Sequence, residues 1–173
     1  EEFSEIILEE TDRLNHLVTD ILFLVKSESA EFIMNLTVLD IVPLCEKSIK
    51  KFAPTILDKN IILSKEMPKK TMVNGDRIRI EQIFNNLLSN AFRHTPVGGH
   101  IHVRGSLKDN GIFFSIENEG EYIPDEHLSH LFEPFYSEFE SRDKSVSGTG
   151  LGLSIVKSLI EKHDGTCGVE NFT

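Results

Sequence analysis

The sequence is poor in cysteine and contains no long apolar run. Its two cysteines, Cys45 and Cys167, share no CxxC spacing and have no histidine at ligand spacing beside them. This pattern disfavours a zinc site and a disulfide framework and is typical of inert thiols in a reducing compartment. The longest strongly apolar run, residues 21–25, is far shorter than the roughly 20 residues that a membrane span needs. With no secretory signal at its start, the chain is expected to be a soluble piece without membrane contact.

Basic residues are also scarce. Lysine and arginine number 18 against 28 aspartates and glutamates, which gives a formal net charge of -10. A protein that binds the phosphate backbone of nucleic acid needs clustered basic residues, so nucleic acid is excluded as a partner. A chain of 173 residues with 39% hydrophobic residues fits one ordinary domain, alone or with an appendage, and buries a core without disulfides or metals.

Residues 1–31 contain neither glycine nor proline and are rich in glutamate. Their apolar residues recur at three-, four- and seven-residue steps, which predicts one long helix with a coiled-coil-like seam. The stripe is wide enough for a helical bundle, so we expect it to need a partner helix. The alternative is that it packs on the domain that follows. The stripe consists of Ile7, Leu14, Leu17, Val18, Ile21, Leu22, Leu24 and Val25.

From about residue 36 the pattern changes to a mixture of strands and helices. Asp40 and Asp76 are placed to cap the helices that follow them. The mixture predicts an α+β fold, a two-layer α/β sandwich in which helices cover one face of a mixed sheet. The predicted elements are strand 36–40, helix 41–59, strands 61–67 and 71–73, helix 76–94, a hairpin of 101–107 and 112–118 around Asp109, Asn110 and Gly111, helix 125–131, helix 151–163 and a last strand over 166–171.

The helix predicted over residues 76–94 carries an unusual polar face. Gln82, Asn86, Asn90 and Arg93 fall on one stripe, opposite an apolar side. Surface stripes usually carry glutamate and lysine, which have better helix propensity than asparagine. Side-chain carbonyls that bind a hard cation and amides that bond to phosphate explain two asparagines one turn apart. The alternative is an ordinary solvated face.

Residues 148–153, with the sequence GTGLGL, open the last predicted helix. Glycines at this place let backbone N–H groups approach an anion, and the N-terminus of the helix adds a positive end. The chemistry therefore suits a phosphate group. The segment matches neither the P-loop nor the Rossmann motif, and a glycine-rich turn is the alternative.

Two shorter segments lie between the polar helix and the glycine-rich loop. In residues 117–124, with the sequence ENEGEYIP, a hydrophobic strand ends at Asn118, which can accept a hydrogen bond from an exocyclic amine. Gly120 then lets the backbone pass close to a flat ligand, although a simple strand-end turn is the alternative. The aromatic residues of 131–136, LFEPFY, are suited to hold the base of a loop or to fill the core.

Taken in the order of the chain, the asparagine helix and the segments 117–124, 131–136 and 148–153 resemble the ATP-binding catalytic domain of sensor histidine kinases, in the superfamily that includes gyrase and the mismatch-repair ATPases. The resemblance covers about residues 36–171, and residues 1–31 resemble the second helix of the dimerisation and phosphotransfer hairpin. It implies domains at 1–31 and 36–173, with a closing strand that the chain does not complete, an ATP lid at about 137–147, and ATP and Mg²⁺ as cofactors.

The resemblance also implies roles for single residues. Asn86 and Asn90 match the family's paired asparagines, and Asn90 is favoured as the Mg²⁺ ligand. Arg93 matches the basic position near the phosphates and is expected, with the asparagines, to be catalytic. Asn118 matches the adenine-reading position. The residues expected at the nucleotide are Asn86, Asn90, Arg93, His94, Asn118, Gly120, Ile123, Lys144, Gly148, Thr149, Gly150, Leu151 and Gly152.

Some positions depart from the family's pattern, and the departures bear on nucleotide affinity and rate. In the predicted lid, either Arg142 or Lys144 is expected to supply the charge that an arginine brings in many relatives. The departures are Asn118 for aspartate, Tyr122 for glycine, Arg93 for lysine and Ser137 for arginine.

The implied reaction is phosphoryl transfer from Mg-ATP to a histidine, for relay to a response regulator, by a protein that dimerises through the hairpin. The implied location is the cytoplasmic portion of a membrane-anchored bacterial sensor. The acceptor histidine is expected to be absent from this chain, because His16 does not match the family's acceptor motif. The alternatives are an ATP-hydrolysing clamp of the same superfamily and a nucleotide-binding module without turnover.

Two features with other possible functions are interpreted as structural. ATP-hydrolysing relatives carry a glutamate at the position of Asn86, and Glu81, which precedes Asn85 by four residues, falls outside the polar stripe. The histidine pairs lack a third metal ligand nearby, so a metal site is not expected at either pair. These pairs are His100 with His102 and His127 with His130.

Overall fold

A computed structural model of the chain describes residues 2–27, 29, 32–108, 111–136 and 149–172. The predicted lid, which includes Ser137, Arg142 and Lys144, lies outside the described residues, as do Gly148 and the hairpin residues Asp109 and Asn110. The elements are α1 (Glu2–Ser27), β1 (Thr37–Asp40), α2 (Val42–Lys51), α3 (Ala53–Asp58), β2 (Ile62–Glu66), β3 (Met72–Gly75), α4 (Arg77–His94), β4 (His100–Lys108), β5 (Gly111–Asn118), α5 (Asp125–Leu128) and α6 (Gly152–Glu161).

The central sheet has three strands in the order β2, β4, β5. β2 runs parallel to β4, and β4 runs antiparallel to β5. A parallel pair needs a long crossover connection, which β3 and α4 supply here. β1 and β3 form a separate antiparallel pair. The expected α+β fold with a mixed sheet is therefore confirmed.

Helices cover one face of this sheet, and the residues of β4 alternate accordingly. Ile101 and Val103 are fully buried in the same hydrophobic cluster as Leu88 of α4. The intervening side chains of β4 project from the opposite face, as the pleat of a strand requires. There Arg104 forms an ion pair with Glu117 at 2.8 Å. The helical layer thus places α4 directly against the sheet.

One thiol lies deep in this core. Cys45 of α2 is buried, and burial raises the pKa of its thiol to about 12, while the smaller effect of Lys65 lowers it and that of Glu46 raises it. Because the thiolate is the reactive form of cysteine, Cys45 is chemically inert at neutral pH, in agreement with the interpretation of the sequence.

The start of α4 is fixed by the side chain of Asp76. Its Oδ1 accepts hydrogen bonds from the amides of Ile78 and Arg79, and its Oδ2 accepts one from the amide of Asn35. Burial raises the pKa of this carboxyl, but the three amide bonds and the charge of Arg79 outweigh burial and lower it. Asp76 therefore caps α4 as predicted and also ties it to the segment before β1.

The C-terminal half of α1 packs against α6. Phe23 is buried in a cluster with residues of α6, and the Ser27 and Ser158 hydroxyls lie 3.2 Å apart. The ring of Phe32 meets that of Phe23 edge-on, with 5.7 Å between centroids. Both rings lie under the guanidinium of Arg79, and the ammonium of Lys162 covers Phe32. This pair of phenylalanines thus fixes α1 against α4 and α6.

A second face of α1 stays in solvent. Five of its apolar residues, between 52% and 64% exposed, line up at heptad spacing: Ile7, Leu14, Val18, Leu22 and Val25. The alternative expectation, that this helix packs on the domain that follows, is met by one face, and the partner helix stays a prediction for the exposed face. Within the described residues, no helix combines the length and hydropathy that spanning a bilayer requires.

The helix predicted over residues 41–59 is two helices, α2 and α3, which part at Phe52. Pro54 has no backbone N–H and its ring blocks the preceding turn, so it can stand only in the first turn of a new helix. Ile41, not Asp40, occupies the N-cap position of α2. Oδ1 of Asp40 accepts hydrogen bonds from the amides of Val42 and Thr71 and so joins β1 to the segment before β3.

The strand predicted over residues 166–171 is wrong, because the described residues after α6 form no strand. Instead, the side chain of Asn171 pairs with the backbone of Ile123: its Nδ2 donates to the carbonyl, and its Oδ1 accepts from the amide at 3.2 Å. Gly165 and Gly168 interrupt this mostly exposed segment and weaken any strand. α5 is also shorter than predicted and ends at Leu128.

Replacing Asp76 with alanine is expected to lower the free energy of unfolding by about 1 to 2 kcal/mol at pH 7, because the cap of α4 is lost. A carboxyl whose pKa is lowered on folding stabilises the protein above its unfolded pKa, about 3.9. That stabilisation disappears as the pH falls through the lower folded value. The difference between variant and wild type should therefore shrink in acid, as measured by urea denaturation at pH 7 and at steps below pH 4.

The matched control is Asp58→Ala, at the exposed end of α3. We expect this change to alter the unfolding free energy by no more than about 0.5 kcal/mol. Equal losses in the two variants, or a loss in Asp76→Ala that does not vary with pH, would contradict the assignment of Asp76 as the cap.

Candidate functional site

The polar stripe of α4 faces the beginning of α6. Nδ2 of Asn86 donates a hydrogen bond to the carbonyl of Gly152 at 3.3 Å. Asn86 and Asn90 are half-buried, whereas Leu88 on the other side of the helix is fully buried in the core. The structure therefore brings the asparagine stripe and the glycine-rich loop to the same place.

The glycine-rich loop is shaped by its contact with the aromatic segment before it. The carbonyl of Gly150 accepts a hydrogen bond from the amide of Phe135 at 3.0 Å. A Cβ on Gly150 would lie 2.8 Å from the backbone of Phe135, and Gly150 has a φ of 68°. Only glycine fits both conditions. The two ends of the segment that holds the predicted lid are thus joined.

The N-terminus of α6 follows this loop directly. Leu151, which is fully buried, occupies the N-cap position, and its amide donates to Oγ1 of Thr149 at 3.3 Å. No side chain caps α6, and its first turn contains no acidic residue. The positive end of the helix is therefore not neutralised by a carboxylate of its own first turn, and it lies beside Asn86.

The end of β5 meets the last turn of α4. A Cβ on Gly120 would lie 3.3 Å from both Nδ2 of Asn118 and the carbonyl oxygen of His94, which is tighter than ordinary van der Waals contact. Nδ2 of Asn118 donates to the carbonyl of Glu119 at 3.1 Å. Ile123, a few residues on, is held by Asn171 as described above. Gly120, two residues after the end of β5, therefore lies against the C-terminal end of α4.

Positive charge gathers at this end of α4. Partial desolvation, followed by the charges of Arg93 and Lys59, lowers the pKa of His94, and the charge of Glu121 acts in the opposite direction. The imidazole is therefore neutral at pH 7. Partial desolvation and the charge of Arg13 also lower the pKa of Arg93. Since an arginine stays protonated in proteins, Arg93 keeps its charge beside a neutral ring.

Glu81 and Asn85 lie on a different face of α4. Glu81 forms ion pairs with Lys47 at 3.0 Å and Lys51 at 3.1 Å, and Lys51 also donates to Oδ1 of Asn85. The hydrogen bonds from the two lysines lower the pKa of Glu81. Both residues are thus engaged with α2, in agreement with the interpretation that Glu81 stands outside the stripe.

The described histidines outside α4 have partners in the protein. No group of three or more His, Cys, Asp or Glu side chains within the described ranges is arranged to hold a metal ion. A hard cation at the site would depend on the side-chain oxygens of Asn86 and Asn90. In the two histidine pairs of the sequence, the hydrogen-bond partners are Glu119 for His100, Arg104 for His102, Tyr136 for His127 and Glu133 for His130.

Sequence reasoning missed several residues that shape this region. Phe135 adopts a φ of 65°, which is unusual for a bulky side chain, and nothing in its neighbourhood signals it. His163 was predicted only as the end of a helix, yet its Nε2 accepts a hydrogen bond from the amide of Asp76. Asn171 was assigned to a strand. All three act through contacts with residues far away in sequence, which a local pattern does not reveal.

Residues 75–172 match the family model described as histidine kinase-, DNA gyrase B- and HSP90-like ATPase. The match covers more than half of the chain. The chain belongs to this family. Together with the relatives described next, this match confirms the resemblance of the sequence to a histidine kinase catalytic domain.

Curated relatives place the chain among the sensor kinases of this family. It is 39% identical over 171 residues to the probable sensor kinase SilS of Salmonella typhimurium, covering 95% of this chain and 34% of that protein. It is 36% identical over 162 residues to the sensor histidine kinase CusS of Escherichia coli K12, covering 94% of this chain and 34% of that protein. The chain thus spans about a third of the length of these histidine kinases.

Solved histidine kinases share the fold. The catalytic domain of ThkA matches with a TM-score of 0.67 and 30% identity over 75% of this chain and 82% of that one. Full-length ShkA in complex with AMPPNP matches with a TM-score of 0.83 and 25% identity over 99% of this chain and 35% of that one. ThkA in complex with the response regulator TrrA matches with a TM-score of 0.79 and 28% identity over 99% of this chain and 47% of that one.

Replacing Gly150 with alanine in this histidine kinase domain is expected to cost more stability than the same change at Gly98. Both glycines have a positive φ, which disfavours alanine by about 1 to 2 kcal/mol. A Cβ on Gly98 meets open space, whereas one on Gly150 meets the backbone of Phe135. We expect at least about 1 kcal/mol of additional loss at Gly150, measured by urea denaturation. Equal losses would mean that the loop moves freely away from Phe135.

Proposed function

We propose that this chain binds Mg-ATP between α4 and the N-terminus of α6. As part of a longer sensor protein, it would transfer the γ-phosphoryl group to a histidine of the dimerisation helices, for relay to a response regulator. The observation that carries this proposal is the hydrogen bond between Asn86 and Gly152. It joins the two sequence features that are chemically suited to one triphosphate.

The phosphate groups are assigned to the start of α6. Its amides and its uncapped positive end suit an anion, and Arg93 adds a full charge. Lys144 and Gly148 are assigned to the same subsite from the sequence alone. The full set for the phosphates is Asn86, Asn90, Arg93, Lys144, Gly148, Thr149, Gly150, Leu151 and Gly152.

The adenine is assigned to the segment that follows β5. Asn118 has a side-chain oxygen that can accept from the exocyclic amine, and the missing side chain of Gly120 leaves the backbone open to a flat ring. Ile123 offers an apolar surface, and the carbonyl of His94 lies against Gly120 of this segment. The replacement of aspartate by Asn118 keeps the acceptor and removes its charge.

The residues present also fit Mg²⁺. Since Nδ2 of Asn86 is used by the carbonyl of Gly152, Oδ1 is the atom of this side chain that remains for a cation. Asn90 lies one turn further along the same stripe and offers a second amide oxygen, which is the ligand type that Mg²⁺ takes in proteins. When bound, the cation would supply charge neutralisation at the phosphates.

In the transfer step, the bond between the γ-phosphorus and the bridging oxygen of ATP breaks, and a bond to an imidazole nitrogen forms. ADP leaves with the electron pair. A neutral imidazole is already a nucleophile, so the chain needs to position the phosphates and does not need a strong base. The engagement of Glu81 with Lys47 and Lys51 supports transfer over hydrolysis, because this glutamate is not available to activate water.

The exposed stripe of α1 suggests where the parent protein dimerises. A helix with apolar residues at heptad spacing on a solvent face is suited to a bundle with other helices. We assign residues 1–31 to the second helix of the dimerisation hairpin and residues 36–173 to the catalytic domain. The complex of ThkA with TrrA supports a response regulator as partner. We place the domain in the cytoplasmic portion of a membrane-anchored bacterial sensor.

The decisive experiment is incubation of the chain with labelled Mg-ATP and a separate protein that carries a complete hairpin. Acid-labile, base-stable phosphate on that protein is the expected product, since a phosphorylated imidazole has this stability. Release of free phosphate alone would instead indicate an ATP-hydrolysing clamp. Nucleotide binding without either product would indicate a module without turnover.

Asn90→Ala is expected to weaken Mg-ATP binding at least about tenfold, because an oxygen ligand of the cation and a polar contact to the phosphates are lost. Calorimetry in the presence and absence of Mg²⁺ measures the effect. The matched control is Asn85→Ala on the same helix, whose side chain faces α2. We expect the control to bind as the wild type does, and equal losses in both variants would contradict the assignment.

A further inference from the structure

Lys59, which belongs to none of the motifs above, binds the C-terminal turn of α4. Its Nζ donates hydrogen bonds to the carbonyl oxygens of Phe92 at 2.9 Å, Arg93 at 3.1 Å and Thr95 at 3.1 Å. Its own carbonyl accepts a hydrogen bond from the amide of Gly98 at 2.7 Å. One half-buried lysine thus joins the end of α3 to the corner between α4 and β4 at four points.

These contacts match what the end of a helix needs. The last carbonyl groups of a helix have no partner within it, and they form the negative end of its dipole. An ammonium group has three N–H donors and a full positive charge. Lys59 therefore satisfies three carbonyls and at the same time places a positive charge at the negative end of the helix dipole. The geometry is therefore that of a charged C-cap supplied from another element.

The position of Lys59 is fixed by its own surroundings. It is the C-cap residue of α3, and the next residue, Asn60, turns the chain with a φ of 51°. The rings of Phe52 and Phe92 stack with 4.8 Å between centroids and hold α3 against α4. The ammonium is thus directed at the last turn of α4 by packing on both sides of it.

The turn that Lys59 holds is the one that carries Arg93 and His94. The carbonyl of His94 lies against Gly120, so a shift of this turn would also displace the segment that follows β5. In addition, the proposed nucleotide would bring negative charge close to the negative end of α4. A fixed positive charge on the carbonyls of that end offsets the repulsion.

We propose that Lys59 is a positioning residue for the nucleotide site, which acts by fixing the last turn of α4 and neutralising its negative end. This inference rests on the proposed function. It adds a residue from outside the motif segments, and it assigns to Lys59 an effect on nucleotide affinity and on the titration of His94. The charged groups that act on His94 are Arg93, Lys59 and Glu121.

The test compares Lys59→Met, which removes the charge and the donors, with Lys59→Arg, which keeps both. Calorimetry measures the affinity for Mg-ATP, and NMR follows the titration of the His94 ring. We expect Lys59→Met to weaken binding by about threefold to fivefold, the size of a charge interaction at a helix end, and to raise the pKa of His94. Lys59→Arg should retain most of the affinity for Mg-ATP and leave the pKa of His94 close to its wild-type value. Lys50→Met, at an exposed lysine of α2, is the control and should change neither.

The outcomes separate this inference from the proposed function. If the wild type binds no nucleotide, the proposed function fails and this inference falls with it. If the wild type binds and Lys59→Met leaves both affinity and the His94 titration unchanged, only the role of Lys59 is overturned, even where thermal stability drops. If Lys59→Met does not fold, Lys59→Gln removes the charge and keeps an N–H donor, and the same two readouts decide.

Discussion

The antiparallel register of α4 and α6 is the constraint on which the candidate site depends. Two hydrogen bonds fix it. Nδ2 of Asn86 bonds to the carbonyl of Gly152, and the amide of Asp76 bonds to Nε2 of His163, whose Nδ1 donates to the carbonyl of Leu159. The bonds are separated by about 15 Å along each helix. Two ties at that distance prevent a slip by one turn, so the asparagine stripe stays opposite the glycine-rich loop.

This register places the positive end of α6 and the negative end of α4 on either side of the asparagine stripe. The positive end of α6 lies beside the middle of α4, whose own negative end is covered by Lys59 and flanked by Arg93. An anion near the stripe therefore meets the favourable pole of one helix and is protected from the unfavourable pole of the other. The sheet contributes by its rigidity, since β5 delivers Asn118 and Gly120 to the end of α4.

Local patterns predicted the elements whose determinants are local. The asparagine stripe follows from helical periodicity, and the cap at Asp76 from a residue type that competes for the first amides. Predictions failed where distant contacts decide. Asn171 replaces a predicted strand with a side-chain pair to Ile123. The positive φ of Phe135, at its contact with Gly150, was not predicted at all. The break at Phe52 is different, because the signal, Pro54, was present in the sequence but was placed inside a longer helix.

The pair of Phe23 and Phe32 has a mechanical consequence. The chain leaves α1 and returns to the domain at almost the same point, where the two rings are enclosed by the cations of Arg79 and Lys162. Swinging the helix away would wet both rings and break both cation contacts in a single event, because tightly packed aromatic surfaces do not separate gradually. We therefore expect the junction to open in one cooperative step and not by gradual bending.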